Sequence, residues 1–159
     1  HTDVLYEGYW ACDEKSGQGR EVWCDGVRYE GEFFRGLKHG KGVIAFNDGG
    51  RYEGDFRRDE MDGEGRYEFP GGKVYAGQWQ GGSITGQGRM DFPDGCSYEG
   101  GYEDGRKSGY GVLRWPDGRC YQGQWSDGKQ HGEGKVVDSE GAEAARGEWR
   151  DGELLERGQ

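Results

Sequence analysis

Tyrosine recurs without a slip at positions 6, 29, 52, 75, 98 and 121, each 23 residues after the last. A chain that restarts the same unit in strict phase folds as a stack, in which each unit buries its apolar face on its neighbours rather than around one central core. The phase extends well beyond tyrosine. Glycine follows each two residues on (Gly8, Gly31, Gly54, Gly77, Gly100, Gly123), and an aromatic follows four residues on (Trp10, Phe33, Phe56, Trp79, Tyr102, Trp125). Glycines return at offsets 11 and 13, and a third aromatic stands at offset 17 (Trp23, Phe46, Phe69, Phe92, Trp115). These registers and Trp149 hold 18 of the 22 aromatics, so the rings are placed by the repeat and not by chance. The repeats span 6–28, 29–51, 52–74, 75–97, 98–120 and 121–144, with a partial one at 145–159. In the sixth, Asp138 replaces the offset-17 aromatic, and Ala145 stands where the next tyrosine belongs.

Within a repeat, Tyr-x-Gly-x-Trp has period two, so its three named residues share one face of an extended strand while polar residues such as Glu30 and Glu32 face the other way. Gly42, Ile44 and Phe46 share a face of a second strand beginning near offset 13. Half-polar alternation of this kind suits an antiparallel sheet with one solvated side. The Arg35–Gly40 segment reads as a hairpin loop, and Asp25-Gly26, Asp94-Gly95 and Asp117-Gly118 read as turns leading to the next repeat. The expectation is an all-β chain: one tandem-repeat domain forming an elongated, single-layer antiparallel sheet of tandem β-hairpins. It would have twelve strands over a length on the order of 60 Å and a groove lined by aromatics. A glycine flanked by Tyr and Trp leaves a slot that a ring can cover, which would give a single sheet a thin aromatic core. A short helix over 152–157 is the one departure considered.

Apolar residues make up 31% of the 159, and the formal charge is −10. Such a balance leans toward disorder, but 14% aromatics in strict register argue for a packed layer. No apolar run is long enough for a membrane helix or a signal-peptide core. Cys12, Cys24, Cys96 and Cys120 show no C-x-x-C spacing and read as reduced thiols of a cytoplasmic protein, possible associations with cytoskeleton or membrane included. Since the sequence starts at His1 rather than Met, it reads as a piece of a longer protein.

The phrase from Tyr29 to Gly42, Tyr-Glu-Gly-Glu-Phe followed by Gly and His-Gly-x-Gly, closely resembles the MORN repeat (membrane occupation and recognition nexus), as does Tyr121 to Gly134. The resemblance runs from 6 to 141 and weakly over 145–152. It implies a twisted, groove-bearing sheet of hairpins, and a family linked both to phospholipid binding and to protein scaffolding. Asp13 and Asp59, where the offset-7 glycine is missing, and Asp138 depart from the pattern.

Catalytic and cofactor chemistry finds no support. Gly40-Lys41-Gly42 lacks the Ser/Thr and the helix of a phosphate loop, and the Asp-Gly pairs lack the other ligands of a calcium loop. Cys96 and Cys120 would lie roughly 10 Å apart by strand spacing, and His39 and His131 lie four repeats apart, so no intramolecular zinc site is expected. No triad or catalytic carboxylate pair is seen. The chain reads as a non-enzyme with no cofactor and no metal, and its negative balance disfavours nucleic acid.

The function expected is a protein-interaction and scaffolding module. The rings Tyr29, Phe33, Tyr52, Phe56, Tyr75, Trp79, Tyr98, Tyr102, Tyr121 and Trp125 would take a partner segment with basic residues around apolar anchors, or another copy of the chain. Trp149, Leu154 and Leu155 would join two copies or fold back as a cap. The alternative is an anionic phospholipid surface held by Lys38, His39 and Lys41.

Overall fold

The computed structural model describes residues 4–155. All regular structure among them is β-strand, so the helix considered over 152–157 is absent where the chain is described. Residues 153–154 are strand instead, and residues 156–157 lie outside the described range.

The chain forms two compact units, divided after Ser83. The first holds β1 (Val4–Ala11), β2 (Glu14–Trp23), β3 (Arg28–Phe34), β4 (Leu37–Ala45), β5 (Arg51–Arg57), β6 (Glu60–Glu68) and β7 (Val74–Gln80). The second holds β8 (Ser83–Asp91), β9 (Ser97–Glu103), β10 (Arg106–Arg114), β11 (Cys120–Ser126), β12 (Lys129–Val137), β13 (Glu143–Arg150) and β14 (Glu153–Leu154). Within each unit the strands lie in sequence order, each antiparallel to the next. The partial seventh repeat thus still makes a hairpin, and among the described residues there are fourteen strands against the twelve expected.

The hairpins are tighter than the sequence implies. β4 starts at Leu37, so the expected Arg35–Gly40 loop is only a two-residue turn at Arg35-Gly36, with φ of 50° and 81°. Two successive positive φ values match the right-handed twist of the flanking strands. Asp59 adopts φ 70°, and Asp13 φ 65°, where the other repeats use glycine, because a short polar side chain tolerates the left-handed region. The departure from the repeat pattern at Asp59 therefore leaves the turn intact.

Glycine makes a close approach possible at the centre of each hairpin. Gly31 sits opposite Gly42, and the Tyr29 ring lies across the pair. A Cβ on Gly42 would come within 2.5 Å of the ring carbon Cε1, and one on Gly31 within 2.5 Å of the Gly42 Cα. Just beyond, the ladder slips between Gly31 and Phe33, leaving Glu32 without an opposite residue on β4. The Tyr29 hydroxyl donates to the Glu32 carbonyl at 2.8 Å, satisfying a group that the bulge frees. The same bond recurs from Tyr52 to Asp55, Tyr75 to Gln78, Tyr98 to Gly101 and Tyr121 to Gln124.

The rings then pack edge-on. Phe33 stands between Tyr6 and Tyr29 at centroid distances of 5.2 and 5.1 Å, Phe56 between Tyr29 and Tyr52, and Trp125 between Tyr98 and Tyr121. Each such T-shaped contact contributes about 0.5–1.5 kcal/mol beyond area burial. This lattice is the core, and it needs no second sheet.

Candidate functional site

The structure buries all ten rings expected to meet a partner. Tyr29, Tyr52, Tyr75, Tyr98 and Tyr121 are fully covered, and Phe33, Phe56, Trp79, Tyr102 and Trp125 retain at most 7% exposure. Burial also pushes the hydroxyls up, to about 12 for Tyr75 and Tyr121, with Tyr29, Tyr52 and Tyr98 raised in the same direction. The physical reason is mutual cover: Tyr29, Tyr52, Tyr98 and Tyr121 lie on the glycine pairs of their hairpins, and Phe33, Phe56 and Trp125 each fill the space between two tyrosines. Lysines at offset 9 add to the lid. Lys38 Nζ lies 4.9 Å from the Trp23 centroid and 5.6 Å from that of Tyr29, and Lys107 sits over Phe92 and Tyr98.

The concavity lies on the opposite, polar face. In the first unit a groove of about 850 Å³ crosses β2 to β5, lined by Arg20, Arg28, Lys41, Val43, Ala45 and Arg51, with Glu30 and Glu53 among them. Charged and small apolar side chains make up most of its lining, and Tyr29 of the aromatic register is among the lining residues too. Two cross-strand rows run through the groove. One runs Arg20, Glu30, Val43, Glu53, and the other Val22, Arg28, Ala45, Arg51. Neighbouring strands lie about 4.8 Å apart, so Arg28 and Arg51 stand roughly 10 Å apart across Ala45. Arg51 pairs with Glu53 at 3.2 Å. Lys41 pairs with Asp55; that hydrogen bond raises the Lys41 ammonium and, against the upward push of burial, holds the Asp55 carboxyl below its usual range. Among the described residues Arg20 and Arg28 make no ion pair.

The lipid-directed set does not converge. Lys38 is drawn onto Trp23 and pairs with Asp59 at 3.6 Å, Lys41 faces the groove beside Asp55, and His39 packs on the exposed Phe34 at 5.6 Å. At the C-terminal end, Leu154 and Leu155 fold back: β14 pairs with β13, and the Leu155 amide donates to the Glu148 carbonyl. Trp149 packs on Tyr121 at 5.1 Å, and its indole donates to the Gly134 carbonyl. Cys12, Cys24, Cys96 and Cys120 are free thiols, and no group of three or more His, Cys, Asp or Glu residues among the described ones could hold a metal ion. Among the described residues no helix is long and apolar enough to cross a membrane.

The groove escaped the sequence reading because alternating charge marks a solvated face without revealing its curvature. One signal was present: offset 22 carries arginine at Arg28 and Arg51, but Val74, Ser97 and Cys120 in the later repeats.

Among solved structures the chain is similar to the SAS-4 (dCPAP) TCP domain of Drosophila melanogaster, in complex with a proline-rich motif of Ana2 (dSTIL). Identity is 14%, with 79% of this chain and 74% of that one covered at a TM-score of 0.48. The TCP10 domain of Danio rerio CPAP is similar at 15% identity and a TM-score of 0.36, over 86% of this chain and 65% of that one. No curated protein matches the chain. The model of the MORN repeat matches at 6–28, 29–51, 52–74, 75–97, 98–118 and 121–142. With its tyrosine, glycine and aromatic registers folded as these hairpins, the chain belongs to the MORN-repeat family.

Proposed function

We propose that this chain is a non-catalytic protein-interaction module of the cytoplasm, which receives an extended segment of a partner protein in the polar-face groove across β2 to β5. The observation that carries the reading is the groove itself: a recess of about 850 Å³ with Val43 and Ala45 on its floor and arginines on its rim. Small floor residues leave room for a backbone to approach, and the surrounding charges give it orientation. The rings on the other face serve to keep the strands flat and rigid, so that little ordering cost falls on this partner surface.

A peptide-display selection on the purified chain tests the reading, with bound clones re-assayed on Ala45→Arg, which fills the groove, and on Val112→Arg on the polar face of the second unit. Enriched peptides should lose binding at least tenfold to Ala45→Arg and keep it on Val112→Arg. Enriched peptides that bind Ala45→Arg as well as the parent chain would overturn it.

A further inference from the structure

The chain carries 31 acidic and 21 basic residues, yet the groove rim carries four basic side chains against two acidic ones. A local field opposite in sign to the net charge bears on what enters. Arg51 and Lys41 are already paired with Glu53 and Asp55. Arg28 is different. Its cross-strand neighbours are Val22 and Ala45, neither of which can balance a guanidinium. It forms no ion pair among the described residues. Arg51 has Ala45 on one side and Glu68 on the other.

We infer that the segment entering the groove is acidic, with two carboxylates spaced three residues apart that dock on Arg28 and Arg51 while a small apolar side chain rests over Ala45. This inference deepens the reading given under the proposed function and rests on it. The spacing follows from geometry. Arg28 and Arg51 lie two strands apart, roughly 10 Å, and a polyproline-like chain crossing the strands advances about 3.1 Å per residue with three residues per turn, so every third side chain faces the same way. Residues i and i+3 of such a segment therefore reach the two guanidiniums together. Each guanidinium offers a planar fork that fits a carboxylate in two parallel hydrogen bonds. Glu30 and Glu53, one row away, disfavour a segment that carries a second line of acids, which fixes the register.

A polypeptide is the fitting occupant rather than a membrane. The net charge of −10 repels an anionic bilayer, whereas a segment with two carboxylates at the matching spacing engages only the local basic pair. A smaller groove in the second unit, about 310 Å³ and lined by Tyr110, Gln122, Lys135 and Arg146 among others, presents no arginine pair across a small residue.

Fluorescence anisotropy on the whole chain tests the inference with three labelled peptides in one Gly-Ser frame: Glu-Ala-Ala-Glu, Gln-Ala-Ala-Gln and Glu-Glu-Ala-Ala. The first should bind at least tenfold more tightly than the other two, weaken with rising salt, and lose at least tenfold on Arg28→Gln with Arg51→Gln. Phosphatidylserine vesicles should not sediment the chain. The inference falls if the glutamine peptide binds equally, if the spacing makes no difference, if the double variant binds as the parent does, or if the vesicles bind instead. Groove-directed peptides from display that prove neutral or basic would overturn the acidic preference while leaving the groove reading standing; display peptides that ignore Ala45→Arg would overturn both.

Discussion

Replacing Gly111 with alanine sets the tyrosine-over-glycine slot against the ordinary benefit of stiffening a strand. Gly111 has no positive φ, so alanine suits its backbone and by itself would stabilise by about 0.4–1 kcal/mol through the unfolded chain. The new Cβ, however, would sit 2.6 Å from Tyr98 Cε2, and its three nearest atoms all belong to that ring. Tyr98 is fully buried, so its ring must lift away from β10. Lifting breaks the hydroxyl bond to the Gly101 carbonyl at 2.8 Å, worth about 1 kcal/mol. It also loosens the contacts with Tyr102 and Trp125 at 5.1 and 5.3 Å, about 0.5–1.5 kcal/mol each. Steric cost wins, and the net expectation is a loss of about 2–3 kcal/mol. Because stacked repeats need not unfold in one step, urea denaturation is to be read beside native-state hydrogen exchange of the β9 and β10 amides. In a Tyr98→Ala background the same substitution should cost under about 0.5 kcal/mol, a coupling of roughly 2 kcal/mol. An unchanged Gly111→Ala stability, or an equal cost in both backgrounds, would refute the slot.

Tyr52→Phe removes the donor to the Asp55 carbonyl at the bulge and should cost about 1–2 kcal/mol in urea with the strand content unchanged by circular dichroism. Burial raises the hydroxyls of Tyr75 and Tyr121 from 10.0 to about 12, so the folded chain holds protons that the unfolded chain releases. Stability should therefore be full below about pH 10 and fall as pH rises from 10 toward 12, a window that a urea series at stepped pH reads directly. Trp149→Ala uncovers Tyr121 and frees the Gly134 carbonyl; a loss of about 2 kcal/mol is expected, with faster exchange of the β11 to β13 amides and no change in β2 to β5.

The repeat made most of the fold legible, because a 23-residue period in tyrosine, glycine and aromatic fixes strand, partner and face together. Gly31 and Gly42 announce the slot, and the structure fills it with Tyr29 as expected. The turn was less legible: Arg35-Gly36 takes over what reads as a six-residue loop, since the bulge glycine Gly40 continues the strand instead of breaking it. Asp59 shows why a missing glycine did not change that turn. The site was legible only in part. Ring positions were read correctly but their exposure was not, because periodicity says which residues share a face and nothing about how completely T-shaped neighbours cover one another. Lys38, His39 and Lys41 are close in sequence, yet the two lysines go to opposite faces by strand alternation.

The most direct test uses the sidedness of the sheet. In the first unit Trp10, Trp23 and Trp79 stand in ring-face registers, so their indole N–H signals report one face of that unit, while the methyl groups of Val43 and Ala45 report the other. With a saturating groove peptide, NMR should show the Val43 and Ala45 methyl signals shifting and the indole signals of Trp23 and Trp79 unmoved. Indole signals that shift while those methyls stay still would place the partner on the aromatic face and contradict the assignment of the groove.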